Sequence, residues 1–281
     1  MAALRFVLVD VFTDRALEGN QLAVFTDART LDEATMQALA LEIGFSESVF
    51  VLPPEQGGTV RVRIFTPRSE LPFAGHPILG AAWVLAAPLQ RGVVELETGR
   101  GLIPVELDRD DSGAISFGRM QQPVPTIEPF DAPEALFSAL GVESSLAPVE
   151  TYDNGPRFTI VLVGSPAEVA ALAPDLAALE ALGVQVSCAS RVDGQKWKTR
   201  MFAPSFGVPE DPATGSAAGP LACHACRHGL ADWGEWLELL QGAEIGRPST
   251  LFARADGSDG SIERVLCGGR AVVVARGEFR L

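Results

Sequence analysis

Three side chains of this 281-residue chain combine a suitable type and position for acid–base chemistry: Glu47, His76 and Asp211. Glu47 falls between the end of a predicted helix and an apolar strand, where a carboxylate can reach a cleft. Asp211 lies just before the loop to Gly215, which opens a predicted helix whose dipole favours the ionised form of the carboxylate. His76 follows Gly75 at the start of the corresponding helix in the other half. Each residue also has a structural interpretation, since Glu47 could be a solvated loop acid, Asp211 a helix cap and His76 a cap or a surface residue.

The two helix starts beside these residues could bind an anion. Gly75 and His76 precede Pro77, which suits a first helical position because its missing N–H costs nothing there. Gly215 and Ser216 open the corresponding helix of the second half. Backbone N–H groups without partners attract a negative charge at a helix start, so we expect a small carboxylate ligand in one cleft if the halves pack about a pseudo-twofold axis. Close packing of a helix on a tight sheet explains the small residues equally well.

A second group, Cys223, His224, Cys226 and His228, invites comparison with zinc sites. On a helix, with ~100° per residue, the cysteines and the histidines point to roughly opposite faces. We therefore expect packing cysteines, surface histidines and no metal site. The four cysteines are too few for a disulfide scaffold in a chain of this length, which indicates reduced thiols.

An internal repeat organises the chain. Arg63–Pro67 and Arg200–Pro204 are similar and lie 137 residues apart. Each predicts a short strand stopped by proline, followed by a loop with acidic residues and then by a glycine that opens a small-residue helix. The spacing from arginine to glycine is 12 residues in the first copy and 15 in the second. The pattern indicates a duplicated domain.

The elements around the repeat predict an α+β fold. Residues 121–133 hold four prolines within eleven positions and form the predicted linker, so we expect an N-terminal domain over 1–121 and a C-terminal domain over 122–281, whose last strand could pack on the first domain. The clearest helix is predicted over 30–43, with Thr30 or Asp32 near its cap and Gly44 at its end. Strands are predicted over 59–65, 93–97, 159–163 and 272–276. The expected product is two pseudo-symmetric domains, each a curved mixed β-sheet wrapped around a central helix.

The net charge and the hydropathy of the chain disfavour several classes of binding partner. The formal net charge of −14 disfavours nucleic acid and anionic lipid as partners. The longest apolar stretch, 77–89, is shorter than the roughly 18 residues of a membrane-spanning helix. The first residues lack a basic lead and a small-residue cleavage site, so we expect a cytoplasmic protein.

Five groups of motifs resemble the PhzF family of phenazine-biosynthesis isomerases over nearly the whole chain. They are Val9–Phe12 with Glu18–Phe25, Ser46–Leu52, Arg63–Pro67 with Glu70–Pro77, Arg200–Pro204 with Asp211–Gly219, and Gln241–Ser249. Two further stretches are similar to the phenazine-pathway members in particular: Asn154–Arg157, and Gly219–Ala222 with Ala225–Gly229. One departure is Gln21, where the family often has proline, and it alters only the stiffness of that loop.

The resemblance implies a diaminopimelate-epimerase-like fold, usually a homodimer, and isomerisation of trans-2,3-dihydro-3-hydroxyanthranilate without any cofactor. It implies that Glu47 is the proton carrier and that His76 and Asp211 are the accompanying catalytic residues. It also implies residues that hold the substrate carboxylate or line its pocket: Asn20, Gly75, Gly215 and Ser216. The chemistry suits Glu47, because moving a proton within a conjugated ring needs one base that takes it from one carbon and returns it to another on the same face.

Other functions stay open on the sequence. A two-thiol racemase shares the architecture but needs a cysteine beside each helix start, and residues 73–77 and 211–216 contain none. An isomerase or epimerase acting on another small cyclic or amino-acid carboxylate would keep the same three acid–base residues. A non-catalytic carboxylate-binding protein is the remaining alternative, and a turnover assay separates it from both enzymes.

Overall fold

The computed structural model describes residues 3–258 and 261–281, and the contacts between residues divide the chain into two compact units. The first unit comprises Met1–Gln121 and Gly268–Leu281, and the second comprises Gln122–Cys267. The first eight strands in chain order are β1 (Ala3–Val11), β2 (Asn20–Phe25), β3 (Glu47–Leu52), β4 (Val60–Phe65), β5 (Glu70–Leu71), β6 (Val93–Thr98), β7 (Gly101–Arg109) and β8 (Ile115–Gln122). The helices between them are α1 (Glu33–Ile43) and α2 (Gly75–Leu89).

The remaining elements follow in chain order. The strands are β9 (Thr126–Pro129), β10 (Glu150–Asp153), β11 (Arg157–Leu162), β12 (Val186–Asp193), β13 (Lys196–Ala203), β14 (Val208–Asp211), β15 (Leu237–Gln241), β16 (Ser249–Ser258), β17 (Ser261–Gly269) and β18 (Ala271–Arg280). The helices are α3 (Pro133–Leu140), α4 (Pro166–Ala171), α5 (Leu176–Leu182) and α6 (Gly215–Arg227). No helix among the described residues is long and apolar enough to cross a membrane.

The first unit is a mixed sheet built around α2. Strand β1 pairs antiparallel with β18 and with β2, β2 runs parallel to β3, β3 is antiparallel to β4, β4 is parallel to β6, and β6 is antiparallel to β7. The pairing of β1 with β18 places the C-terminal strand in this unit, so the second unit ends at Cys267. Helix α2 contacts β1, β2, β3, β6, β7 and β18, which requires the sheet to curve around it.

The second unit repeats this topology. Strand β10 is antiparallel to β11, β11 is parallel to β12, β12 is antiparallel to β13, β13 is parallel to β15, and β15 is antiparallel to β16. In the first unit the short strand β5 pairs antiparallel with β4 and is followed by the buried helix α2. In the second unit β14 pairs antiparallel with β13 and is followed by the buried helix α6. The predicted α+β class with duplicated mixed sheets is confirmed.

The repeated motif forms the same ion pair twice. Arg63 of β4 donates to both carboxylate oxygens of Glu70 at 2.7 and 2.6 Å, and its guanidinium lies 5.1 Å from the ring centre of Phe65. Arg200 of β13 donates to Glu210 at 2.9 and 2.7 Å and likewise stacks on the phenylalanine two residues ahead. Each glutamate lies five residues before the glycine that opens the central helix. The pair therefore fixes the hairpin that leads into each helix start.

Of the two capping residues that the sequence offers for the first helix, the structure uses Asp32 rather than Thr30. The side chain of Asp32 accepts a hydrogen bond from the backbone N–H of Thr35 at 2.8 Å, so the helix begins at Glu33. It ends at Gly44, whose N–H donates to the carbonyl of Ala40. Two residues intervene before β3, which places Glu47 at the start of that strand.

Candidate active site

Glu47 projects from the first residue of β3, opposite Leu22 of the parallel strand β2. Its side chain is 15% exposed, and its Oε2 lies 3.5 Å from Nδ1 of His76. A solvated loop acid would not be withdrawn from water in this way. The carboxylate is instead placed beside an imidazole, at a distance where a small movement forms a hydrogen bond.

His76 is the second residue of α2 and is buried, so the surface interpretation of this histidine is wrong. Its Nδ1 lies 3.2 Å from Nδ2 of Asn20, the first residue of β2. Burial lowers the pKa of His76 to about 3, and a backbone hydrogen bond with Gln21 opposes that shift. The ring is therefore neutral near neutral pH, with one nitrogen that donates and one that accepts.

A neutral His76 suits a neighbour that gains and loses a proton. When Nδ1 carries the ring proton it can donate to an ionised Glu47, and when Nδ1 is bare it can accept from a protonated Glu47 or from the amide of Asn20. A permanently charged imidazolium would favour only the carboxylate form. Asn20, Glu47 and His76, which the sequence singled out from three separate segments, are thus brought together within the first unit.

The start of α2 leaves backbone donors available. Its N-cap, Ala74, has no side chain that could cap the helix, and the first intrahelical bond runs from the N–H of Ile78 to the Ala74 carbonyl at 3.4 Å. The N–H groups of Gly75 and His76 have no intrahelical acceptor. Further along, a Cβ at Gly80 would lie 2.6 Å from Cδ2 of Leu22. Close packing therefore explains the glycine at position 80, whereas positions 75 and 76 belong to the helix start.

Asp211, the last residue of β14, belongs to a buried network in the second unit. Thr214 donates its hydroxyl proton to Oδ2 of Asp211 at 2.5 Å. Gln241, at the end of β15, donates from Nε2 to the Asp211 carbonyl at 2.8 Å and to the Thr214 hydroxyl at 3.0 Å, while the Thr214 N–H donates to Oε1 of Gln241 at 3.3 Å. The three residues are each less than a tenth exposed. This network fixes the orientation of the Asp211 carboxylate and of the loop before α6.

Gln241 has no assigned role in the sequence predictions, although it begins one of the recognised motifs. The following residue, Gly242, adopts φ +78°, and a Cβ there would lie 2.5 Å from the carbonyl oxygen of Pro212. The glycine thus lets this turn pack directly on the loop that carries Asp211. A buried amide followed by glycine at the end of an apolar strand is the sequence signal that points to such a contact.

The start of α6 resembles that of α2. The N–H groups of Ala217 and Ala218 donate to the Thr214 carbonyl at 3.0 and 3.1 Å, so the preceding N–H groups of Gly215 and Ser216 have no intrahelical acceptor. Ser216 is 4% exposed. The helix-opening glycine and the residue after it therefore occupy equivalent positions in the two units.

The histidine and cysteine group of α6 is partly as predicted. The stretch is helical, and Cys223 and Cys226 are buried free thiols. The prediction of a surface histidine is wrong for His224, which is fully buried. Strand β10 covers it: Nδ1 lies 3.3 Å from Glu150, and the ring packs edge-on against Tyr152. Helical periodicity predicts the face on which His224 lies, but it does not predict that a strand packs against that face.

Glu150, His224 and His228 have ligand atoms close enough together to hold a metal ion. Arg227, however, donates to Oε2 of Glu150 at 2.7 Å, and the hydroxyl of Tyr152 donates to the same oxygen at 2.8 Å. Burial alone would raise the pKa of Glu150, but the hydrogen bonds from His228 and Tyr152 and the charge of Arg227 lower it to about 2. A cation placed among these groups would be repelled by the guanidinium, so we interpret the cluster as an ion-paired anchor for the end of α6.

Comparisons with known proteins agree over the full chain. A family model described as phenazine biosynthesis-like protein matches residues 9–277. The chain is 46% identical to a trans-2,3-dihydro-3-hydroxyanthranilate isomerase of Pseudomonas aeruginosa, with 99% of each protein covered. The solved structure of a predicted epimerase from the same organism is 35% identical and superposes with a TM-score of 0.83 over 98% of this chain and 99% of that one. A PhzF-family protein of Bacillus anthracis, 24% identical with full coverage of both chains, has the same fold at a TM-score of 0.87.

Proposed function

Because this chain belongs to the phenazine biosynthesis-like family, as its motifs predicted, we propose that it is the isomerase that acts on trans-2,3-dihydro-3-hydroxyanthranilate. The observation that carries the proposal is the placement of Glu47 beside the buried, neutral His76 in a chain 46% identical to an enzyme of that name over its whole length. The same residues in a more distant member would support only an isomerase of a related carboxylate.

The proposed reaction needs one carboxylate. Glu47 takes a proton from one ring carbon, the conjugated double bonds shift, and Glu47 returns the proton to another carbon on the same face. One C–H bond breaks and one forms, so the step is redox-neutral and uses no cofactor. The neutral ring of His76 can form a hydrogen bond with Glu47 whether Glu47 is protonated or ionised, and this bond keeps the carboxyl group in place through both proton transfers.

The remaining site residues are proposed to hold the substrate. Gly75, Gly215 and Ser216 supply backbone N–H groups at two helix starts, which suit a carboxylate because they carry partial positive charge and lack intrahelical acceptors. Asp211, oriented by Thr214, would accept a hydrogen bond from the amine or the hydroxyl group of the substrate ring. Asn20 would line the pocket through the amide that also contacts His76.

We further propose that the protein is a cytoplasmic homodimer that works without metal. The family resemblance is the support for the dimer, and light scattering on the purified protein measures it directly. Dialysis against a chelator should leave activity unchanged. Loss of activity that zinc restores would contradict the cofactor-free mechanism.

The decisive experiment incubates the purified protein with trans-2,3-dihydro-3-hydroxyanthranilate and follows the loss of its diene absorbance. We expect catalytic turnover. If this compound is inert but another small cyclic or amino-acid carboxylate is converted, the substrate is wrong and the isomerase class stands. If carboxylates bind and none is converted, the protein is a binding protein and the proposal fails.

A further inference from the structure

Helix α6 contains a proline, Pro220, at a position whose N–H would normally donate a hydrogen bond to a carbonyl of the first helical turn. In an α-helix the N–H of residue 220 would bond to the carbonyl of residue 216, and Pro220 has no N–H. The helix is buried from Gly215 to Cys226, so water does not readily replace the missing bond. A buried carbonyl without a donor is costly, so a hydrogen-bond donor outside the helix would stabilise the Ser216 oxygen.

Asn154 supplies that partner. Its Nδ2 donates to the Ser216 carbonyl at 2.9 Å, from the turn that joins β10 to β11, and the residue is 2% exposed. Its other amide atom, Oδ1, is buried and has no hydrogen-bond partner among the described residues. The side chain is therefore held in the core by one polar contact, made to the carbonyl that Pro220 leaves without its helical donor.

The repeated unit shows the alternative. In α2 the position five residues after the helix-opening glycine is Gly80, which has an N–H for the carbonyl of His76. The equivalent position in α6 is Pro220. The two helix starts thus share their geometry but differ in what holds the second residue: an internal helix bond in the first unit, and a side chain from a neighbouring turn in the second.

We propose that Asn154 and Pro220 act as a matched pair that positions Ser216, with Asn154 as a positioning residue for the carboxylate-binding turn of α6. The inference rests on the proposed function, since it takes Ser216 as a substrate-binding residue. Pro220 removes the helical hydrogen bond to the Ser216 carbonyl, and Asn154 holds that carbonyl from the β10–β11 turn instead. Fixing the carbonyl restricts the backbone of Ser216 and so the directions of its N–H and hydroxyl.

Gln122 provides a matched control. Its Nε2 donates to the adjacent carbonyl, that of Gly215, at 2.6 Å, and it too is a buried amide. The Gly215 carbonyl, however, can also accept from the N–H of Gly219 in the usual helical pattern. Gln122 is a second donor to its carbonyl, whereas Asn154 replaces an absent one. Only the effect of Asn154 should therefore depend on residue 220.

The test is a double-mutant cycle between Asn154→Ala and Pro220→Ala, in which alanine at position 220 restores the missing N–H. Two readouts are compared: KM for trans-2,3-dihydro-3-hydroxyanthranilate, and amide hydrogen exchange in a peptide covering residues 215–219. We expect Asn154→Ala alone to raise KM about tenfold, equivalent to about 1.4 kcal/mol, and to speed exchange. In the Pro220→Ala background the same substitution should change both by less than about twofold, while Gln122→Ala has equal effects in both backgrounds.

Equal effects of Asn154→Ala in the two backgrounds would overturn the pairing. If Asn154→Ala alone does not fold, the double variant still decides, because the proposal requires it to fold and to melt close to Pro220→Ala, and failure to do so is a contrary result. The exchange cycle is independent of catalysis. Absence of turnover by the unaltered protein would therefore count against the proposed function, while exchange would still judge the pair.

Discussion

The network around Asp211 predicts a large effect from a nearly isosteric substitution, Thr214→Val. Valine keeps the shape of threonine but removes the hydroxyl that donates to Asp211 at 2.5 Å and accepts from Gln241 at 3.0 Å. A hydrogen bond to a charged group contributes about 1.5–3 kcal/mol and a neutral one about 1 kcal/mol. Because both partners are buried, we expect the free energy of unfolding to fall by about 2–4 kcal/mol.

Urea denaturation followed by circular dichroism measures this loss, and Thr214→Ser is the control because serine keeps the hydroxyl while losing only a methyl group. We also expect kcat to fall more in the valine variant than in the serine variant, since Asp211 would lose a group that orients its carboxylate. If the two variants are equally stable and equally active, the hydroxyl does not hold Asp211 and the proposed role of the network is wrong.

Two further predictions concern charge. The pKa of His76 is lowered to about 3 from 6.5, so the unfolded chain binds more protons between these values. The contribution of His76 to stability is complete above pH 6.5 and is lost by up to about 1.4 kcal/mol per unit as pH falls below it; a His76→Gln variant with the same acid sensitivity would contradict this. Arg200→Leu should cost about 3 kcal/mol in urea denaturation, because Arg200 and Glu210 are 9% and 10% exposed. Arg63→Leu should cost less, since its pair with Glu70 is 22% and 38% exposed, and equal losses would refute the dependence on burial.

Local patterns were enough to predict the duplicated α+β architecture. The arginine, phenylalanine and proline of each repeat specify a strand end, and the structure shows why these types recur: Arg63 and Arg200 each grip a glutamate on the next short strand and stack on their own phenylalanine. Glu47 also follows from local signals, since a helix that stops at Gly44 and an apolar strand leave it at their junction.

Contacts between distant segments were not predictable in the same way. His224 faces a strand more than seventy residues away, so helical periodicity placed it on a face without showing that Glu150 and Tyr152 cover that face. The missing donor at Pro220 is visible in the sequence, but the donor that replaces it, Asn154, is not. Gln241 likewise reaches Asp211 across thirty residues. These buried side-chain amides donate hydrogen bonds to backbone carbonyls of segments that only the tertiary structure brings close to them, so the sequence does not reveal the partners.

The role of Glu47 is tested most directly by the Glu47→Gln variant. Glutamine has nearly the same shape as glutamate but cannot accept the ring proton, and positioned acid–base groups contribute about 10²- to 10⁴-fold to rate. We predict that kcat for trans-2,3-dihydro-3-hydroxyanthranilate falls by at least about 10²-fold, while the melting temperature and the Kd for a stable aromatic analogue such as anthranilate stay close to those of the unaltered protein. Activity within about tenfold, or about 1.4 kcal/mol of barrier, would show that Glu47 is not the proton carrier.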